Sequence, residues 1–257
     1  MAIFAINSVL SQSLLCTEII VVDDGSTDGS ADFLRANFHD QAELISIYSI
    51  DNSGASEARN FGVLKCTSEW VAFLDSDDMW YSNKIEIQLS EISLDPAICL
   101  IGTLTTMRNF QIFNFDRKSK LNIINLKTLL FKNFFQTSTV LLRREVLQKL
   151  GGFPIGRRYA EEGDLFLRVA AKHKCVLVNE VLVDYSGGKS GFGEVGLSAN
   201  LLQMELGEIK NICSAWQRGD SKNIITGLAL IYSAVKFLRR CLIRSKNNVF
   251  LYFRRFF

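Results

Sequence analysis

Two short stretches of this chain each place three carboxylates within four positions: Asp75-Ser76-Asp77-Asp78 and Glu161-Glu162-Gly163-Asp164. Carboxylates this close resist ionising together, so something positive belongs beside them. For the first stretch a hard divalent cation fits, because Mg²⁺ or Mn²⁺ takes oxygen ligands and commonly bridges one or two carboxylates to a substrate's phosphates. A solvated acidic turn ahead of a helix near Ser82 is the other reading of the same residues. For the second, an acidic helix start is favourable with the helix dipole, and Arg168 stands one turn beyond Asp164, where the two can pair. Two further polar, glycine-bearing segments could meet a ligand: Asp23-Asp24-Gly25-Ser26-Thr27-Asp28-Gly29, and Gly54 to Gly62 with Arg59 inside it.

Elements that place these groups can be read around them. Trp70-Val71-Ala72-Phe73-Leu74 is an apolar, strand-forming run that ends at Asp75. Glu18 to Val22 reads as a buried strand ending at Asp23 and Asp24, and Thr27 or Asp28 can cap the helix that runs to about Phe38. Leu44 to Ile50 is another strand, and a helix follows Gly54. Strand, loop and helix thus repeat at short spacing, which predicts an α/β fold with a mostly parallel central sheet flanked by helices. In such sheets ligands bind at the carboxyl ends of the strands. Further on, helices are expected over Ser82–Ser93, Leu126–Phe135, Glu161–Lys172 and Leu197–Trp216. Strands are expected over Ala97–Met107, Phe110–Phe115, Thr137–Leu142 and Val176–Tyr185. Before all of these, Ala2 to Gln12 has a helical rhythm, so the chain opens on a helix where a doubly wound unit opens on a strand.

Composition narrows the class. At 257 residues, 48% of them hydrophobic, the chain can bury a sizeable core. Six scattered cysteines with no C-x-x-C pair suggest neither a zinc site nor a disulfide framework, and fit a cytoplasmic protein. From Ser221 onward there are eight basic residues and no acidic one, which leaves −6 on the rest of a chain whose net charge is +2. An acidic body with a basic, apolar tail suits a membrane surface better than a nucleic acid. Its apolar run of about twelve residues falls short of the ~20 needed to span a bilayer. An amphipathic helix resting on anionic lipid through residues 222–257 is therefore expected, beside the alternative of a helix packed on the body.

Taken together, the segments resemble the family 2 glycosyltransferases, inverting enzymes with the GT-A fold. Val22 to Gly29 looks like the family's first nucleotide loop, Gly54 to Gly62 like its second, and Leu74-Asp75-Ser76-Asp77-Asp78 like its D-x-D metal motif. Glu161 to Arg168 is similar to the acidic segment that supplies the catalytic base. The resemblance covers about residues 1–200, which are expected to form the GT-A domain, with 201–257 a helical tail. It implies a nucleotide-sugar donor, a UDP-sugar first, whose base and ribose are met by Asp24, Arg59 and Asp75, with a divalent cation on Asp77. Glu162 stands where the family's base is expected, although the family usually reads Glu-Asp where this chain reads Glu161-Glu162; Asp164 is next in line. The resemblance starts at the opening helix, so the family's first strand, central in its sheet, is expected to be missing and its two neighbours to lack a ladder. The functions implied are sugar transfer to a glycan or lipid-linked acceptor in bacterial surface polysaccharide assembly, or a shortened, non-catalytic relative serving as scaffold.

Overall fold

The computed structural model describes residues 1–106, 119–185 and 199–256, with side chains through Arg244. The expected strand at Phe110–Phe115 and the polar loop after Ser186 lie outside the described residues. In chain order the elements are α1 (Ala2–Leu10), β1 (Ile19–Asp24), α2 (Ser30–Asn37), β2 (Ile45–Ile50), α3 (Ala55–Lys65), β3 (Trp70–Ala72), β4 (Met79–Trp80) and α4 (Lys84–Leu94). They continue with β5 (Ile98–Thr105), β6 (Leu121–Ile123), α5 (Leu126–Phe131), β7 (Leu141–Arg143), α6 (Arg144–Lys149), α7 (Glu161–Ala170), β8 (Lys174–Asp184), α8 (Leu201–Gln217) and α9 (Asn223–Phe256).

The central sheet runs β3-β7-β5-β8-β4, with β6 also on β8, and helices cover it. The α/β class is as expected, but the pairing is more mixed than a mostly parallel sheet. Parallel ladders join β1 to β2 and β5 to β8, while β3–β7, β5–β7, β4–β8 and β6–β8 are antiparallel. Short return strands such as Met79–Trp80 cause the difference. β8 alternates cleanly: Cys175 and Leu177 enter one core cluster, Val176 and Val178 the other. A strand buried on both faces needs cover on both. The larger cluster gathers Leu129, Leu147, Phe153, Leu165 and Phe166 from α5, α6, α7 and their connections, and takes Ile212 and Ala229 from α8 and α9. Across the sheet, Ile92 of α4 packs on Ile98 and Ile101.

β1 and β2 form a ladder of their own, and β1 and β3 share none. Side chains do the joining instead. Glu18 accepts the backbone N–H groups of Thr67 (2.8 Å) and Ser68 (2.9 Å) together with both hydroxyls, and these bonds hold its carboxyl below the ordinary range despite partial burial. Helix α1 straddles the two sheets: Ile6 packs with Leu34 and Phe38, Val9 with Trp80 and Val183. Gln12 adds a bond to the Tyr81 carbonyl and accepts from Ile85 N–H.

A fully buried lysine sits beside the centre. Lys84 lies 4.2 Å from the Trp80 ring centroid and donates to Gln88 (2.8 Å), and burial pulls its pKa down to about 7. Gln88 in turn donates to the carbonyls of Ile101 and Thr139, fixing the turn at Thr137–Thr139 against β5. All six cysteines are free, and burial pushes Cys66 up to about 11 and Cys175 to about 12, so these two thiols are unreactive.

Candidate active site

At the end of β1, the Asp24 carboxylate accepts the N–H of Ser53 (2.7 Å) and of Gly54 (2.9 Å), and Asn52 donates to the Asp24 carbonyl. Two loops are thereby tied at the start of α3, where a negative group also complements the helix dipole. The tie is close enough to require glycine: Gly25 has φ +74°, and a Cβ there would stand 2.8 Å from the Asn52 nitrogen. Gly29, not Thr27 or Asp28, is the N-cap of α2, and Asp28 instead accepts from Ser30 N–H and Oγ.

From α3, Arg59 reaches two acidic segments that are far apart in sequence. Its guanidinium donates to Asp75 (2.8 Å) and to Glu161 (3.2 Å) and lies 5.4 Å from the centroid of Phe153. Burial opposes its charge, but Asp75, Glu161 and Glu162 outweigh that and hold its pKa above the usual value. One residue on, Asn60 donates to the Phe153 carbonyl and accepts its N–H, fixing the loop that leads toward α7.

Beyond β3, the chain turns at Asp75–Asp78, with Asp78 N–H bonded to the Asp75 carbonyl. Ser138 organises this turn. Its hydroxyl accepts from Asp75 N–H (3.0 Å) and donates to Asp78 Oδ2 (2.5 Å), while its carbonyl accepts from the Trp80 indole (2.8 Å). Asp78 is 1% exposed and belongs to the scaffold; Asp77, half-buried, lies between it and Asp75.

Helix α7 begins just after Ala160, a non-glycine residue at φ +53°, a conformation that costs roughly 1–3 kcal/mol and must be held by its surroundings. Asn211 of α8 supplies the hold, donating to the Ala160 carbonyl (2.7 Å). The three acidic residues of the first turn then separate. Glu161 faces Arg59. Glu162 lies within its field: burial first, then the negative charges of Glu161 and Asp75, push its pKa up to about 7 against the pull of Arg59. Asp164 turns away into a buried cluster with Arg168 (2.8 Å), Arg218 (3.0 Å) and Arg157 (3.9 Å), and Arg168 and Arg218 outweigh its burial and keep it low.

The structure therefore gathers Arg59, Asp75, Asp77 and Glu162 around one centre, sets Asp24 at the neighbouring loop pair, and leaves Asp164 in the cluster of arginines. Tyr185, at the end of β8, reports the charge of that centre. Burial, then Asp78, Asp75, Asp77 and Glu162, push its phenol up to about 12. So concentrated a negative field is suited to a cation. Among the described residues no group of three or more His, Cys, Asp or Glu encloses a metal by itself. Half-buried Asp77 fits instead a divalent ion shared with a ligand's phosphates, which needs one or two protein carboxylates.

Residues 3–151 match the family model described as Glycosyl transferase family 2. The chain belongs to this family. Among curated family 2 relatives, the putative teichuronic acid biosynthesis glycosyltransferase TuaG of Bacillus subtilis (strain 168) is 44% identical over 84 residues, 33% of each chain. The chain spans a third or less of the length of the first curated relatives it matches. Among solved structures, S. aureus TarS 1-349 in complex with UDP is similar over 97% of this chain and 70% of its own, with TM-score 0.65 and 18% identity. Mannosyltransferase PcManGT from Pyrobaculum calidifontis in complex with GDP-Man and Mn²⁺ is similar over 97% and 76%, with TM-score 0.65 and 17% identity. At these identities the likeness shows the fold, which is that of the GT-A glycosyltransferases.

Two residues of the candidate site gave no signal in the sequence. Ser138 is one hydroxyl in a Thr-Ser-Thr turn, 63 positions from the Asp75 amide it accepts. Tyr185 read only as the last residue of a strand.

Proposed function

We propose that the protein is an inverting, metal-dependent glycosyltransferase that moves a sugar from a nucleotide donor, a UDP-sugar first, to an acceptor hydroxyl. One observation carries this reading: Arg59 joins the Asp75–Asp78 turn to the start of α7, so a leaving-group site and a base of suitable pKa share one centre. Asp24 and Asp75 would meet the base and ribose of the nucleotide, and Arg59 the nucleotide or its diphosphate. Asp77 would hold a divalent cation with the diphosphate, which would neutralise the charge that builds there as the sugar leaves. On the opposite face of the sugar, Glu162 removes the acceptor hydroxyl's proton. The new C–O bond then forms at the anomeric carbon as the bond to phosphate breaks. A carboxylate with a pKa near 7 is well matched to that task at neutral pH. Asp164, neutralised by arginines, is left as a positioning residue for α7.

The donor class is supported by the ligands of the structural neighbours, UDP for TarS and GDP-Man with Mn²⁺ for PcManGT. The naming of TuaG as a teichuronic acid biosynthesis glycosyltransferase supports a glycan or lipid-linked acceptor in surface polysaccharide assembly. Eight basic and no acidic residues from Ser221 onward support peripheral attraction to an anionic membrane; no described helix is long and apolar enough to cross one. The test is a titration with UDP, GDP and dTDP, each with and without Mn²⁺. Metal-dependent binding is expected for UDP and is expected to vanish in Asp77→Ala. Unchanged binding in that variant removes the assigned metal role. The second reading is a non-catalytic relative that keeps the fold as a scaffold or partner subunit. Metal-dependent nucleotide binding with no donor turnover would select it.

A further inference from the structure

Helix α9 meets the protein through a mixed face, with Ile225, Ala229 and Leu230 against the core and polar groups beyond them, yet it also presents an apolar stripe to solvent. On its inner face Ser233 and Arg240 bond to Glu205 of α8 (2.7 Å each), Lys236 pairs with Glu208, and Arg244 reaches the Ala199 carbonyl. On its outer face Ile224, Leu228, Ile231, Val235, Leu238 and Leu242 are each between 53% and 79% exposed. Their spacings are 4, 3, 4, 3 and 4, a heptad seam three repeats long. At ~100° per residue the stripe is only roughly 80° wide. A helix lying on lipid presents a broad apolar sector flanked by basic residues that reach the headgroups. Here one flank holds Gly227, Ala234 and Cys241, and the other Arg239 with Tyr232 and Ile243, themselves 37% and 46% exposed.

We infer that this stripe is the seam of a homodimer, covered by α9 of a second copy running antiparallel. The spacing is the same read in either direction, with its centre at Ser233, so an antiparallel two-fold sets Ile224 against Leu242 of the partner subunit, Leu228 against Leu238 of the partner subunit, and Ile231 against Val235 of the partner subunit. The small flank then faces itself, Ala234 against Ala234 of the partner subunit, and lets the helices approach closely. Charge selects the orientation. No acidic residue follows Ser221, so a parallel pair would set the basic ends, with Lys246, Arg254 and Arg255, side by side, whereas an antiparallel pair sends them to opposite ends.

The experiment is sedimentation equilibrium on the full chain at tens of micromolar. The expected species has a mass of about 58 kDa, twice the 29.0 kDa of one chain. Leu228→Glu with Leu238→Glu puts two charges into the seam and is expected to weaken self-association by ~100-fold or more. Because both side chains are exposed, the thermal midpoint of the isolated chain should stay in place. Ala234→Cys is expected to cross-link to its own copy under mild oxidation, which a parallel pair would not allow, and it decides the matter if the double variant fails to fold. A wild-type monomer at every concentration, a dimer indifferent to the double substitution, or no cross-link through position 234 would overturn the proposal. So would a monomer that binds phosphatidylglycerol vesicles through the same six side chains.

Discussion

Replacing Glu162 by glutamine removes a carboxylate whose ionisation the fold resists. In the unfolded chain that group titrates near its ordinary 4.5, and in the native state at about 7. The difference is roughly 2.5 pH units, or about 3 kcal/mol before allowance for the side chain's partial solvent contact. Because the native pKa is the raised one, the native state binds the extra proton between these values. The group's stabilising contribution is therefore full below pH 4.5 and is lost as pH rises through 7. Urea unfolding of wild type and Glu162→Gln at pH 5, 6.5 and 8 isolates the effect, since every other titrating group is common to both. Wild type minus variant should fall by up to about 3 kcal/mol between pH 5 and pH 8, leaving the variant the more stable at pH 8. Turnover should move the other way: kcat of wild type rises through pH 7 as the base ionises, and in the variant it drops by ~10²- to 10⁴-fold with donor KM little changed. Parallel stability curves for the two proteins, or a variant that keeps its turnover, would refute the assignment of Glu162.

Arg59→Met should raise the pH midpoint of kcat, because the guanidinium is what pulls Glu162 down; Arg59→Lys should keep that midpoint but weaken nucleotide binding about tenfold, since an ammonium cannot span Asp75 and Glu161. Asp164→Ala is expected to cost about 1–3 kcal/mol in urea unfolding, because it removes the carboxylate shared by Arg168 and Arg218, while the folded fraction still binds UDP. Ser138→Ala withdraws the acceptor of Asp75 N–H and a donor to Asp78, and should lower stability by about 1–3 kcal/mol together with metal-dependent UDP affinity measured by calorimetry.

Much of the site could be read from the chain because its parts are local. A strand that ends in carboxylates, as at Asp75, or a polar glycine loop that opens a helix, as at Gly54, is visible within a dozen residues. What was hidden depends on separation. The pairing of Asp164 with Arg168 was open to view at i, i+4, but its bond to Arg218 spans 54 positions, and that second arginine commits the carboxylate to structure. Nor could periodicity show which of the α7 acids faces Arg59, because a first helical turn spreads Glu161, Glu162 and Asp164 over different sides. β4 has two residues, too few for any alternation, and with the other return strands it makes the sheet mixed. The stripe on α9 was visible as apolarity in the sequence. Its outward orientation needed Glu205 and Glu208 on the neighbouring helix.

The separate ladder of β1 and β2 has an energetic corollary. Among the described residues no strand ladder fastens β1 and β2 to the main sheet, so this unit is held by side chains, through the Glu18 clasp, α1 and the packing of α3 on β1, and it is a candidate for opening ahead of global unfolding. On the proposed placement a nucleotide touches Asp24 on one side of that seam and Asp75 on the other. Ligand then acts as a staple, and its free energy of binding adds directly to the cost of opening. Amide exchange in Ile19–Asp24 and Ile45–Ile50 thus becomes a gauge of occupancy that requires no acceptor and no turnover.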